Sequence, residues 1–103
     1  MSDTNKDKTT KNTNKKDFYK RLKAELDNNS DWPIRYMYKF IVPNEDKNEA
    51  KVLEHFKDKI KISKNFSRSG KYISISIITN EISSDNIINR YQSMENIEGL
   101  IAL

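Results

Sequence analysis

The chain has 103 residues, which is enough for one small domain and too few for two. It has no cysteine and one histidine, which excludes disulfides, thiol nucleophiles and zinc sites built from cysteines or several histidines. Eight of its 19 Lys and Arg residues and five of its 15 Asp and Glu residues lie in residues 1–30, so the net charge of +4 falls mostly there.

Residues 1–17 consist almost entirely of Ser, Asp, Thr, Asn and Lys, a composition that buries too little apolar surface to order a chain. We therefore predict a disordered polar tail over residues 1–17. Phe18, Leu22 and Leu26 then recur at four-residue spacing and predict a short amphipathic helix within residues 18–30. Its apolar stripe is typical of a helix that docks on its own domain, and the alternative is a helix that binds a partner.

Residues 31–103 are predicted to form the folded domain, and its first strand is predicted over residues 34–42, after the helix-breaking Trp32-Pro33 pair. This segment is apolar on both faces, which indicates a central strand. Alternation divides its side chains into two sets. The set predicted to face inward is Tyr36, Tyr38, Phe40 and Val42, and the set predicted to face outward is Met37, Lys39 and Ile41.

A helix is predicted over residues 46–57, because Asp46 and Glu49 form a capping pattern and apolar residues follow at helical spacing. The next segment, residues 61–66, is rich in polar residues and therefore predicts an edge strand. A turn that ends at Gly70 follows it.

The third strand is predicted over residues 72–79, where isoleucine alternates with other residues as in a strand with one buried face. Its inward set is Ile73, Ile75 and Ile77, and its outward set includes Tyr72, Ser74 and Ser76. A helix capped by Ser83 or Ser84 should follow. Its inward residues are predicted to be Ile87, Ile88, Tyr91 and Met94. Residues 100–103 are predicted to form a last strand at an edge.

The element order β-α-β-β-α-β predicts an α+β fold of the ferredoxin-like type, a four-stranded antiparallel sheet with two helices packed on one face. Right-handed crossovers place the first and third strands in the centre and the second and fourth at the edges. The expected architecture is therefore a ferredoxin-like βαββαβ sandwich preceded by an extra N-terminal helix and a disordered tail.

Several segments together resemble a known family. They are Trp32-Pro33, Tyr38-Lys39-Phe40-Ile41-Val42-Pro43, Ser69-Gly70-Lys71-Tyr72-Ile73-Ser74-Ile75-Ser76, Ile88 with Tyr91, and Ile97-Glu98-Gly99-Leu100-Ile101-Ala102-Leu103. These segments, spread over residues 18–103, resemble the YbeD-like family of small bacterial proteins, a domain of unknown function. The resemblance implies a ferredoxin-like fold similar to ACT regulatory domains. It implies no catalytic residues, and it points to a regulatory or interaction module.

The outward residues of the two central strands form a candidate binding face. It consists of Met37, Lys39, Ile41, Tyr72, Ser74 and Ser76. This mixture of apolar and polar side chains favours a protein partner or self-association, so we interpret the chain as a regulatory or protein-interaction module. No cofactor or metal site is indicated. The absence of cysteine and of an apolar run approaching ~20 residues predicts a cytoplasmic protein without a membrane span.

Catalysis is not expected, because His55 is typical of a solvated helix histidine and Ser74 and Ser76 have no activating base in their strand. Nucleic-acid binding is the alternative function, since RNA-recognition domains share this topology and stack bases on aromatic residues of the open sheet face. The predicted faces place only Tyr72 there, whereas a first strand with reversed faces would add three aromatic residues. The basic N-terminal tail would then contact phosphates.

Overall fold

The fold is given by a computed structural model, which describes residues 3–45 and 47–103. For residues 3–14 and Asn29 it describes the backbone alone. The chain divides into two compact units, Met1–Asp31 and Trp32–Leu103. Among the described residues, no helix is both long enough and apolar enough to cross a membrane.

The first unit contains one helix, α1 (Asp3–Asn29). It starts well before residues 18–30, where periodicity predicts a helix, and it includes most of the segment predicted to be a disordered tail. The physical reason is that residues 3–29 contain neither proline nor glycine, so nothing in the segment interrupts helical geometry. One turn of α1 is joined by an ion pair between Lys23 and Asp27 (3.4 Å). Disorder of the tail in solution stays a prediction, and its first two residues lie outside the described residues.

The second unit is a four-stranded sheet with two helices. Its elements are β1 (Ile34–Pro43), α2 (Asn48–Leu53), β2 (Lys61–Phe66), β3 (Tyr72–Glu81), α3 (Ser84–Ser93) and β4 (Ile101–Ala102). The strand order is β2-β3-β1-β4, and every neighbouring pair is antiparallel. The predicted α+β class is confirmed, as are the central positions of β1 and β3 and the edge positions of β2 and β4.

One face of the sheet carries the hydrophobic core. Alternation along β1 and β3 buries a set of side chains that are at most 3% exposed: Tyr38, Phe40, Val42, Ile73, Ile75 and Ile77. The ring centroid of Tyr38 lies 4.8 Å from that of Phe56, which follows α2, and 5.3 Å from that of Tyr91 on α3. Both helices therefore pack on this face, and the predicted inward faces of the first and third strands are confirmed.

The second helix is shorter than the predicted span of residues 46–57. After α2 ends, the backbone N–H groups of His55 and Phe56 donate to carbonyls three residues earlier, at 3.1 and 3.0 Å. This tighter winding ends the helix and still buries Phe56 completely, so the periodicity predicted the core residue correctly and the helix end wrongly. Asp46, the expected start of the capping pattern, lies outside the described residues.

The third helix begins where the sequence predicts. The Ser83 hydroxyl caps α3 by accepting a hydrogen bond from the Asn86 N–H at 3.2 Å. β4 follows Gly99, whose φ of +78° lies in the region that favours glycine. A Cβ at this position would lie 2.7 Å from the Cγ of Pro43, so a glycine lets the chain pass close to the end of β1. The strand itself is shorter than the predicted residues 100–103.

Replacing Ile75 with alanine should lower the free energy of unfolding by about 2 to 5 kcal/mol, because the change removes a fully buried side chain from a central strand. The matched variant is Ser74→Ala at the neighbouring position, which points away from the helices and should cost under about 1 kcal/mol. Urea denaturation followed by circular dichroism measures both values. Equal losses for the two variants would contradict the faces assigned to β3.

Candidate functional site

The face of the sheet opposite the helices, which we call the open face, contains all six residues of the predicted binding face. The β1–β3 register places Lys39 opposite Ser76 and Ile41 opposite Ser74. Residues directly opposite each other in an antiparallel pair point to the same side of the sheet. Met37 and Tyr72 lie on this side as well, and they are 56% and 48% exposed. The structure thus brings the six residues together, and their role in binding stays a prediction.

Strand pairing adds residues to the open face that the sequence reasoning missed. Alternation along β1 places Arg35 on this face. The register places Lys61 of β2 opposite Ile78 of β3, and Ile101 of β4 opposite Ile41 of β1. Alternation alone could have identified Arg35. Lys61 and Ile101 required the register between strands, which no local pattern specifies.

The open face is basic. Its strand residues include the exposed cations Arg35, Lys39 and Lys61, and they include no Asp or Glu. Among the described residues, no ion pair joins any of these three cations to a carboxylate. Strand spacing and rise per residue separate their Cα atoms by about 12 to 13 Å. Cations grouped in this way produce a positive potential that attracts acidic groups.

Apolar side chains lie among these cations. The register forms two pairs on the open face, Met37 opposite Ile78 and Ile41 opposite Ile101. Met37 and Ile101 are more than half exposed, whereas Ile41 and Ile78 are half-buried. A contiguous surface thus offers aliphatic contact area, serine hydroxyls and positive charge. Such a mixture is suited to an amphipathic ligand.

The open face has little aromatic surface. Of the strand residues that the structure places on it, Tyr72 alone is aromatic. Tyr38 and Phe40 are fully buried on the helix side, and the Tyr36 hydroxyl lies 2.9 Å from the Tyr91 hydroxyl of α3. The alternative in which β1 has reversed faces is therefore wrong. The described part of the open face offers no row of rings on which bases could stack.

A buried polar cluster on the helix side is centred on Glu81, which is 1% exposed. Its Oε2 accepts hydrogen bonds from the hydroxyls of Tyr38, at 2.9 Å, and Thr79. The Nε of Arg90 lies 3.0 Å from the same oxygen. Sequence reasoning missed this cluster because it ends the third strand at Thr79, two residues before Glu81.

Arg90 also holds the segment between α2 and β2. It donates one hydrogen bond to the His55 carbonyl (2.6 Å) and another to the exposed carboxylate of Asp58. Burial, followed by the nearby Glu81 carboxylate, raises the pKa of Tyr38 above its usual value, so the phenol stays protonated and donates its hydrogen bond. The cluster therefore consists of satisfied groups that join two strands, a helix and a loop.

His55 and Ser93 are the described pair that most resembles a base and a nucleophile. The Ser93 Oγ lies 3.3 Å from the His55 Nδ1, but the hydroxyl donates to the Arg90 carbonyl at 2.7 Å. A hydroxyl whose proton is directed elsewhere is not activated by the imidazole. Among the residues whose side chains the structure describes, no group of three or more His, Asp and Glu could hold a metal ion.

Glu81→Ala should lower the free energy of unfolding by about 3 to 5 kcal/mol, because it leaves the buried Tyr38 hydroxyl and the largely buried Arg90 guanidinium without their shared acceptor. Asp58→Ala removes the other carboxylate of the same arginine. It should cost under about 1 kcal/mol because Asp58 is exposed. Chemical denaturation of the two variants measures the difference, and a larger loss for Asp58→Ala would contradict this account.

Comparison with known proteins gives a family and a fold. A family model described as "Protein of unknown function (DUF493)" matches residues 27–103, and YbeD is a member of that family. A solved structure of an uncharacterized protein from Thermotoga maritima has a TM-score of 0.56 with this chain, at 16% sequence identity. The likeness covers 67% of this chain and 90% of that protein, and at this identity it shows the fold alone. No curated protein matches the chain.

Proposed function

The chain belongs to the DUF493 family, and we propose that it is a binding module whose open face holds a partner, without catalysing a reaction. The observation that carries this proposal is the exposure of Met37 and Ile101 among cations on a sheet surface opposite α2 and α3. Large apolar side chains within a polar surface are typical of protein-binding sites. On the opposite face, core side chains of β1 and β3 pack against α2 and α3, and Phe66 of the edge strand β2 is 55% exposed there.

We also propose that the second unit has the ferredoxin-like fold and an ACT-like regulatory role. The order β2-β3-β1-β4 supports the fold, because helices connect β1 to β2 and β3 to β4 and both pack on the same face. The regulatory role is an analogy drawn from the fold, which is a weaker argument than the surface itself. A regulator needs a binding surface that leaves its core intact, and the open face meets that requirement.

The residues that lie opposite the serines of the open face favour binding over catalysis. Ser76 lies opposite Lys39, the arrangement in which a lysine base could activate a serine. A lysine serves as such a base when it is desolvated, and Lys39 is exposed. Ser74 lies opposite Ile41 and has no base across the register.

Nucleic-acid binding is the second candidate function. It is favoured by the unpaired cations of the open face and by the basic residues of the N-terminal segment. It is disfavoured because Tyr72 is the single aromatic residue on the described open face, which leaves little surface for the stacking of bases. Binding that weakens steeply with salt and requires residues 1–23 would support this candidate.

The experiment compares two variants that each add one arginine to a polar site. Ser76→Arg places a bulky side chain in the middle of the open face, whereas Gln92→Arg places the same charge on the exposed side of α3. Partners captured by the tagged full chain are identified by mass spectrometry, purified and titrated against each variant. We expect Ser76→Arg to weaken binding by at least about tenfold and Gln92→Arg to leave it within about twofold.

Circular dichroism confirms that both variants remain folded before the titration. Equal affinities of the wild type and Ser76→Arg for every purified partner would reject the open face as the binding site. A larger loss for Gln92→Arg would move the site to the helix side.

A further inference from the structure

We infer that the ligand of the open face is an acidic amphipathic helix of a partner protein. This inference rests on the proposed function, which assigns binding to the open face, and it adds the charge and the shape of the partner. Three observations carry it: the charge of the face, the direction of the strand backbone beneath it and the arrangement of its apolar pairs.

The charge of the face selects an acidic partner. Arg35, Lys39 and Lys61 are exposed and have no carboxylate partner among the described residues, and the strand positions of the face include no Asp or Glu. A basic ligand would meet unrelieved repulsion here. Carboxylates on a ligand would be attracted to the face and would gain charged hydrogen bonds on contact.

The direction of the strand backbone selects a helix over an extended segment. β1 pairs with β3 over ten residues, and the N–H and C=O groups of paired strands point towards neighbouring strands within the sheet, not out of the open face. An extended peptide gains affinity mainly by adding main-chain hydrogen bonds at a sheet edge, which the open face does not supply. A helix satisfies its own backbone and binds through one face of side chains, which is what a sheet surface can accept.

The apolar pairs fit two contacts along one helix. Met37 with Ile78 and Ile41 with Ile101 form two patches separated by four residues of β1, or about 13 Å. Residues two to three turns apart on a helix are about 11 to 16 Å apart, so one apolar stripe can reach both patches. Lys39 lies between the patches, where it can pair with a carboxylate at the margin of such a stripe.

The same arrangement disfavours a nucleic acid as the ligand. Single-stranded nucleic acids gain affinity by stacking bases on aromatic side chains, and the centre of the open face has aliphatic residues and serines instead. Phosphate contacts alone would use the cations and leave Met37 and Ile101 exposed to water. A ligand that covers both kinds of group must itself be both acidic and aliphatic.

The test uses the full chain and three synthetic peptides of equal length. The first is a helical peptide with leucines on one stripe, glutamates at its margins and alanines elsewhere. The second replaces each glutamate with lysine, and the third scrambles the first so that no stripe forms. Chemical shifts of the isotope-labelled chain, recorded by NMR during titration, show where each peptide binds. We expect the first peptide to perturb residues around Met37, Ile41 and Ile101, and to bind at least about tenfold more tightly than the other two.

A charge-reversed variant distinguishes charge recognition from damage to the fold, because a damaged chain would lose both peptides and would not reverse its preference. The double substitution Arg35→Glu with Lys39→Glu should reverse the preference, so that the lysine peptide binds better than the glutamate peptide. Lys57→Glu, an exposed lysine after α2, is the control and should keep the original preference. Equal affinity for the two peptides in the wild type, or no reversal in the double variant, would overturn the inference. Tighter binding of an oligouridylate to the open face would overturn it in favour of RNA.

The two proposals fail in different ways. Suppose that Ser76→Arg abolishes binding of a captured partner and the charge-reversed variant does not. The open face is then the site, and the acidic helix is wrong. If neither variant changes the affinity for any purified partner, both proposals are wrong.

Discussion

The antiparallel pairing of β1 with β3 is the constraint on which the rest of the second unit depends. The two strands pair over ten residues each, and alternation sends every side chain of both strands either to the core or to the open face. A slip of one residue in β1 would bury Lys39 and expose Tyr38 and Phe40 to water. The aromatic side must face the helices, because Phe56 and Tyr91 supply the rings that pack against Tyr38. The register that places the aromatic residues in the core therefore also determines which residues form the open face.

The cluster around Glu81 fixes this register at the end of β3. Its carboxylate is held by a hydroxyl from β1 and a guanidinium from α3, and that guanidinium also holds the loop after α2. A buried ion pair adds little net stability, because desolvation offsets most of its attraction. Its hydrogen bonds, however, form in one arrangement of β1, β3 and α3, and a slipped strand would break them. We therefore expect the cluster to contribute to the choice of one packing more than to the free energy of unfolding of the intact chain.

Local sequence patterns predicted the features of the fold that depend on neighbouring residues along the chain, such as which side of a strand or helix is buried. Alternation in the third strand and helical spacing in α3 identified Ile75 and Tyr91 as core residues, and the element order predicted the central positions of β1 and β3. The burial of Glu81 could not be predicted in this way. Its hydrogen-bonding partners include residues 38 and 90, which meet only after the sheet and α3 have assembled. The basic character of the open face was missed for a similar reason, because Lys61 joins it through the pairing of β2 with β3. The end of α2 depends on where Phe56 must be inserted, which is also a tertiary requirement.

The separation of the two faces also explains why the open face can be specialised for a partner without endangering the fold. Its residues make few of the contacts that stabilise the core, since the buried aromatic and isoleucine side chains all lie on the helix side. Substitutions at exposed strand positions away from caps, turns and buried networks change stability little. The charges at Arg35, Lys39 and Lys61 are therefore not required by the fold. No acidic residue lies among these cations on the strands of the open face, and an acidic ligand would explain that arrangement. The core forms on one side of the sheet and leaves the open face on the other. The side chains of the open face determine which ligand can bind there.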